Sequence, residues 1–211
     1  MRRMLMLLAI CAGCADDTDA GGGTRTLSVR ASVEEEGGNA HFRVDVERAG
    51  ADVTDAVVVM SSALGDVTLI HAGGGVYLAT GAGWSGSYAL MVNAGEDSLH
   101  GSIATPASPS LLAPAPSVAF DPHLADRGVV VVRWSGDHAM SVQVKTKEFE
   151  YGPAPDEGSV TIPAAMFVED VQKIEIEREN EIEIALAGGI AGSTLSARTQ
   201  SKTDVIVVNP F

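Results

Sequence analysis

The chain has 211 residues, with 28 acidic against 14 basic side chains, and a formal net charge of -14 at pH 7. This excess of negative charge repels nucleic acid and anionic lipid headgroups, so we exclude nucleic-acid binding. Hydrophobic types make up 45% of the residues but aromatic types only 5%, and glycine occurs 23 times. Aliphatic, glycine-rich composition without sustained helical periodicity predicts an all-β protein.

The first thirteen residues have the pattern of an export signal. Arg2 and Arg3 are followed by an apolar run, Met4–Gly13. At about ten residues, the run is half the length that a bilayer-spanning helix needs. An amphipathic helix would place polar residues at helical spacing, but the apolar run from Met4 to Gly13 contains no charged or amide side chain. We therefore assign residues 1–13 to a signal peptide.

The end of this run, "LAICAGC", resembles the lipobox of bacterial lipoproteins. Ala12 and Gly13 precede Cys14 as they do in that family, whereas Cys11 stands where leucine is usual. The resemblance implies a diacylglycerol on Cys14 that holds the protein to a membrane. Ala15, rather than aspartate, follows the cysteine and favours the outer membrane of the cell envelope. Ordinary signal cleavage, for example after Ala15, or a retained tail are the alternatives.

Two glycine- or proline-rich stretches divide the remaining chain. Residues 14–23 are acidic and then pure glycine, which predicts a flexible tether. Residues 105–116, "TPASPSLLAPAP", carry four of the nine prolines and predict a semi-rigid extended linker. The expected blocks, residues 24–104 and 117–211, are each the size of one small β-sandwich.

The first block predicts seven short strands. In "TLSVRASV" and "HFRVDVER", apolar and polar residues alternate, as in strands with one buried face. Five more strands are expected at "AVVVM", "DVTLIH", "VYLAT", "SYALMVN" and "LHGSIA".

The spacing in this block resembles the transthyretin-like domains that also occur as carboxypeptidase regulatory domains. The matching positions are Ala56, Gly75, Tyr77, Gly86, Tyr88, Leu90 and Val92. The resemblance implies a sandwich that acts as an accessory module and carries no catalytic residues.

The second block contains valine-rich segments, among them "GVVVVRW", "GSVTIPAAMF" and "STLSARTQSKTDVIVV". Valine-rich strands with one early tryptophan resemble a fibronectin type III or other immunoglobulin-like sandwich. The resemblance implies that Trp134 packs between the two sheets. No cysteine pair is available in this block, which excludes a disulfide-bonded antibody-type domain.

The segment "KIEIERENEIEIAL" places glutamate at every odd position from Glu175 to Glu183. In one continuous strand, the carboxylates of Glu175, Glu177, Glu179, Glu181 and Glu183 line one face about 7 Å apart. They are candidate cation contacts, although calcium prefers six or more oxygens at roughly 2.4 Å from a tight loop. Alternatively, the chain reverses at residues 178–180. We favour a solvated face whose charge blocks edge-to-edge association.

Other polar clusters give no pattern for catalysis or a metal. The histidines all lie more than five residues apart, so no local zinc motif exists. "WSGDH" holds Ser135, Asp137 and His138, but a triad requires geometry rather than sequence proximity. Trp84, in the turn "GAGWSGS", is the best single candidate for a ligand contact such as sugar stacking. The alternative is a ring folded over the end of the sandwich.

We therefore expect two tandem β-sandwiches, immunoglobulin-like or transthyretin-like, in an exported, lipid-anchored protein. The expected function is a non-enzymatic surface module of the cell envelope, such as a spacer, adhesion element or assembly component. The partners would be the membrane, through the lipid, and a protein or glycan. The alternative is a carbohydrate- or calcium-binding lipoprotein. We expect no cofactor, no metal and no catalytic residues.

Overall fold

The structure is a computed structural model that describes residues 26–136, 139–184 and 188–211. The described residues form β-strands and three short 3-10 helices, with no α-helix among them. The strands are β1 Leu27–Glu36, β2 Asn39–Arg48, β3 Ala51–Asp52, β4 Val57–Ser62, β5 Gly65–Thr68, β6 Ile70–Gly73, β7 Val76–Gly81, β8 Ser87–Ala94, β9 Asp97–Ala104, β10 Ser110–Ala113, β11 Val129–Ser135, β12 Ser141–Lys145, β13 Glu150–Ala154, β14 Ser159–Pro163, β15 Val171–Glu183 and β16 Thr194–Ile206. The 3-10 helices are η1 Pro122–Leu124, η2 Asp126–Gly128 and η3 Ala164–Met166.

The strands form three sheets that build two β-sandwiches. A nine-stranded sheet has the order β13-β12-β15-β16-β1-β2-β7-β6, with β3 paired to β2. A four-stranded sheet, β5-β4-β8-β9, packs against one part of this sheet to form the first sandwich. A three-stranded sheet, β10-β11-β14, packs against the other part to form the second. The expected all-β architecture of two tandem sandwiches is confirmed.

Alternating apolar residues build the first core as the sequence predicts. In β1, Leu27, Val29, Ala31 and Val33 are buried while the residues between them are more exposed. The antiparallel register sets Val33 opposite the buried Phe42 of β2. Because side chains of a strand alternate between its faces, this register brings both apolar sets onto one side of the sheet.

The second core surrounds Trp134 of β11, as predicted. Trp134 is 5% exposed and packs with buried residues of both sheets, among them Val144, Ile162 and Ile174. Phe167 belongs to the same core and is completely buried. Its ring meets that of Phe120 edge-to-face, with the ring centres 5.2 Å apart.

The C-terminal hairpin β15–β16 runs through both sandwiches. The start of β15 and the end of β16 contribute Ile174, Ile176 and Val205 to the second core. The other ends contribute Leu195 and, just beyond β15, Ile184 to the first core. The division of the chain at the proline-rich segment therefore describes the fold only in part, because the second block supplies strands to the first sandwich.

A parallel pairing joins the two blocks. Residues Arg30–Glu34 of β1 pair with Thr194–Arg198 of β16. This pairing makes the two halves of the large sheet continuous. The proline-rich segment also departs from the expected extended linker, because its residues 110–113 form β10, which pairs with β11.

The strand directions place the two ends of the described chain at opposite poles. Strand β1 runs from Thr26 at the outer end of the first sandwich towards the second, and β16 continues in the same direction. The final residue, Phe211, bonds through its N–H to the carbonyl of Phe167 in the second sandwich. At about 3.3 Å per residue, β16 and the start of β1 together span about 50 Å.

In the described part of the chain, no helix has both the length and the apolar character needed to cross a bilayer.

Because the C-terminal hairpin completes the first core, a fragment ending at residue 116 is expected not to fold stably.

In the full chain, Leu195→Ala, at a fully buried position, should lower the free energy of unfolding by about 2–5 kcal/mol. Urea unfolding and amide NMR dispersion measure both effects. A fragment 24–116 with a dispersed spectrum and a cooperative transition would contradict the shared core.

Candidate functional site

The candidate functional site is the junction where the inward face of β15 passes from one core to the other. On this face Ile174 and Ile176 belong to the second core, and Ile182 packs against the first. Between them stand Arg178, which is fully buried, and Asn180. Two polar side chains thus mark the boundary between two apolar cores on a single strand.

Arg178 forms a buried ion pair with Asp156. Its Nε donates to Oδ2 of Asp156 at 2.7 Å, and both side chains are 0% exposed. The guanidinium also donates through Nη1 to the carbonyl of Ala107 at 2.6 Å. Arg178 lies directly opposite Thr199 of β16, which is also completely buried. The boundary is therefore polar on both strands of the hairpin.

Asp156 accepts several further hydrogen bonds. Trp134 donates its indole N–H to Oδ1 at 3.0 Å, and the backbone N–H groups of Gly158 and Ala139 donate at 3.0 and 3.1 Å. Burial raises the pKa of this carboxyl, but donation from Ala139, Arg178, Gly158 and Trp134 outweighs burial. The pKa of Asp156 therefore lies below its ordinary value, and the carboxylate stays ionised.

Residues 104–108, which we call the junction segment, are held by side chains of the large sheet. Asn180 donates from Nδ2 to the carbonyl of Ala104 at 2.8 Å, and Ser108 donates to Glu35 of β1 at 3.2 Å. Thr199 donates to the same Glu35 carboxylate at 3.1 Å. With the Arg178 bond to Ala107, these contacts anchor a segment that composition alone predicts to be part of a semi-rigid extended linker.

Glycine is required at one position of this junction. Gly136 has φ +124°, a conformation that side-chain-bearing residues rarely adopt, and a Cβ there would overlap Nη1 of Arg178. The backbone therefore approaches the guanidinium more closely than any other residue would allow.

The sequence analysis missed Arg178 and Asp156, although one signal was present. In the alternating segment from Lys173 onward, the apolar positions carry isoleucine except at 178 and 180. An interruption of this kind on an inward face indicates buried polar groups with partners. The partner Asp156 lies 22 residues away in sequence, in a stretch with no comparable pattern.

The glutamates of β15 do line one outward face of a continuous strand, so the alternative reversal at residues 178–180 is wrong. Basic residues of β16 oppose the first three. Lys202 approaches Glu175 at 3.3 Å, and Arg198 lies 3.1 Å from Glu177 and 3.2 Å from Glu179. Burial lowers the pKa of Arg198, but the effect of Glu179 and Glu177, which raises it, is larger. The pKa of Arg198 therefore lies above its ordinary value.

This arrangement changes the interpretation of the glutamate row. Strand β12 pairs with β15 over Glu175–Glu179, so that part of the glutamate row does not lie at a sheet edge. Glu181 and Glu183 face Ser196 and Thr194 and remain exposed. Among the described residues, no group of three or more His, Cys, Asp or Glu side chains is arranged to hold a metal ion.

Trp84 folds over the end of the first sandwich. Its ring is half-buried, lies 5.7 Å from the ring of Tyr88, and its indole N–H points to the carbonyl of Pro106 at 3.4 Å. Tyr77 is buried, donates to the carbonyl of Val53 and accepts from the N–H of Ala56. These three rings therefore do not form an exposed platform.

The remaining candidates are scattered or lie outside the described residues. His41, His71, His100 and His123 belong to four different elements. Cys14 lies before the first described residue, and Asp137 and His138 fall in the gap between residues 136 and 139.

Comparisons with known proteins add no family. No protein-family model matches the chain, and no curated protein matches it. A solved structure of the N-terminal four Ig domains of Dscam1 isoform 1.9 overlaps 84% of this chain at 13% identity and a TM-score of 0.26. The chain spans 43% of the length of that structure. A superposition at this level carries no argument, so the fold class rests on the strand pairing itself: an all-β protein of two tandem β-sandwiches.

We expect Arg178→Ala to lower the free energy of unfolding by about 3–5 kcal/mol, because it removes the guanidinium from beside the buried Asp156 carboxylate. Arg198→Ala is the matched control. Arg198 lies on the outward face, half-exposed, and its loss should cost no more than about 1 kcal/mol. Urea unfolding followed by tryptophan fluorescence measures both. Equal costs for the two variants would contradict a special role for Arg178.

Acid should destabilise the junction. The folded-state pKa of Asp156 lies below the ordinary value of 3.8, so its contribution is fully present above that pH. The contribution is lost as pH falls through the lowered folded-state value. The free energy of unfolding should therefore fall more steeply with acid below pH 3.8 in the wild type than in Asp156→Asn. Parallel pH profiles of the two proteins would argue against this assignment.

Proposed function

We propose that the protein is a non-enzymatic, lipid-anchored spacer of the cell envelope that holds its far pole away from a membrane. One observation carries the proposal: a single sheet runs through both sandwiches. The two 13-residue strands β15 and β16 belong to both cores. A sheet shared in this way resists bending between modules far better than two domains joined by a peptide linker.

The junction supports the same role. Domains that swing independently are usually joined by exposed linkers with few contacts. Here the junction segment is bonded to Glu35, Arg178 and Asn180, and a buried ion pair fixes the crossing point. The body is therefore suited to hold a fixed distance between its poles.

The polarity of the chain suits an N-terminal anchor. Thr26 lies at one pole, so an acyl group on Cys14 and the tether of residues 14–23 would attach there. The second sandwich would then point away from the membrane. We infer that the first sandwich is a transthyretin-like accessory module without catalytic residues and that the second is fibronectin type III-like or otherwise immunoglobulin-like.

The anchor is tested by fractionating cells that express the wild type, Cys14→Ser or Cys11→Ser. The wild type should be found in the membrane fraction and incorporate labelled fatty acid, because the diacylglycerol is attached through the Cys14 sulfur. Cys14→Ser should lose both properties, and Cys11→Ser, the matched control, should keep them. Membrane association of Cys14→Ser equal to that of the wild type would rule out the lipid anchor.

The spacer is tested by the distance between the poles. Spin labels at Glu96→Cys and Leu124→Cys, with Cys11 and Cys14 replaced by serine, report on exposed positions of the first and second sandwiches. We expect a single narrow distance distribution near about 50 Å, as the shared strands require. Several separated maxima, or a broad distribution, would show that the sandwiches move independently and would contradict the spacer.

A further inference from the structure

The outward face of the four-stranded sheet differs from the rest of the surface because it carries almost no charge. Strict alternation along β4, β5, β8 and β9 sets the outward positions. At these positions, on four fully described strands, Asp66 is the only Asp, Glu, Lys or Arg side chain, and His100 is the only histidine. By contrast, the outward face of β1 and β2 presents Arg30, Glu34, Arg43 and Asp45.

The centre of this face is apolar. Val59 and Met91 are cross-strand partners, and Met91 is 41% exposed. Val57, the next outward residue of β4, is 53% exposed, and Ala89 is the outward residue of β8 that precedes Met91. His100 of β9 lies directly opposite Met91, and small groups such as Thr68 and Ser102 also flank the centre. A flat, neutral sheet face with exposed valine and methionine is the kind of surface that associates with another protein surface.

We infer that this face, which we call the neutral face, is a self-association surface that binds a second copy of the same chain. The first argument is charge. Each copy carries a net charge of -14, so two copies repel one another over most of their surfaces. The neutral face offers an approach in which nearly no like charges meet. In a two-fold arrangement, Met91 and Val59 of one copy lie against the same residues of the other.

The second argument is area. The four strands have six, four, eight and eight residues. At about 3.3 Å per residue and about 4.8 Å between strands they cover roughly 400 Å², so a dimer would bury about 800 Å² in total. This area is below that of a standard specific interface and fits a weak, transient dimer. Two sheets with the same handed twist also stack readily face to face, about 10 Å apart. Sugar is a poorer occupant, because no Phe, Tyr or Trp side chain lies at the outward positions of these four strands.

Sedimentation velocity of the full chain carrying Cys11→Ser and Cys14→Ser tests the dimer without any acyl group, so its outcome is independent of the anchor. We expect a monomer–dimer equilibrium that depends on protein concentration. Met91→Glu should raise the dissociation constant of the dimer by about tenfold or more, because it places like charges at the centre of the interface. Leu78→Glu is the matched control. Leu78 is equally exposed, at 42%, but lies on the nine-stranded sheet, so dimerisation should be unchanged.

Disulfide trapping supplies a second measurement that does not depend on adding a charge. In the same cysteine-free background, Met91→Cys should form a covalent dimer under mild oxidation, and Leu78→Cys should not. Circular dichroism verifies that each variant is folded. A chain that stays monomeric at every concentration contradicts the proposal, and so does association that Met91→Glu and Leu78→Glu change equally. Trapping that is no faster at position 91 than at position 78 contradicts it as well.

Discussion

The buried ion pair between Arg178 and Asp156 is the interaction on which the tandem arrangement depends. A strand that serves two cores needs a boundary on its inward face, because otherwise its apolar stripe would fix neither the position nor the separation of the sandwiches. A buried guanidinium is costly unless a carboxylate and further acceptors surround it, so a shift of β15 that moved Arg178 away from them would be penalised. Arg178 meets Asp156 and the carbonyl of Ala107 together at the crossing point, which ties the register of β15 to the junction segment.

The distribution of charge follows the same division between inward and outward faces. Adjacent strands of the large sheet carry opposite charges at their outward positions. Arg198 and Lys202 of β16 therefore form ion pairs with glutamates of β15. These exposed pairs contribute little individually to stability. Their effect is to reduce repulsion within the row of carboxylates, while the molecule as a whole keeps a net charge of -14. The neutral face on the four-stranded sheet is the exception to this distribution.

Local patterns in the sequence predicted which residues turn inward but not which strands meet. Alternation in β1 and β2 and the place of Trp134 in the second core followed from periodicity and residue type. The pairing of β1 with β16 joins residues 164 positions apart, as in the bond from the Val29 N–H to Ser193, and no local signal specifies it. The proline count likewise concealed β10, because proline at the flanks of a short edge strand is compatible with pairing. The junction was missed for the same reason: Asp156 gains its importance only from a distant partner.

The parallel pairing of β1 with β16 has a mechanical consequence. A pull applied between Thr26 and Phe211 draws β1 towards one pole and β16 towards the other, along the axis of the strands. Their hydrogen bonds are then loaded together in shear, whereas a hairpin pulled at its open end would unzip one bond at a time. The two strands that make the sheet continuous would therefore also resist tension along the molecule, and they do so where their inward residues line the first core.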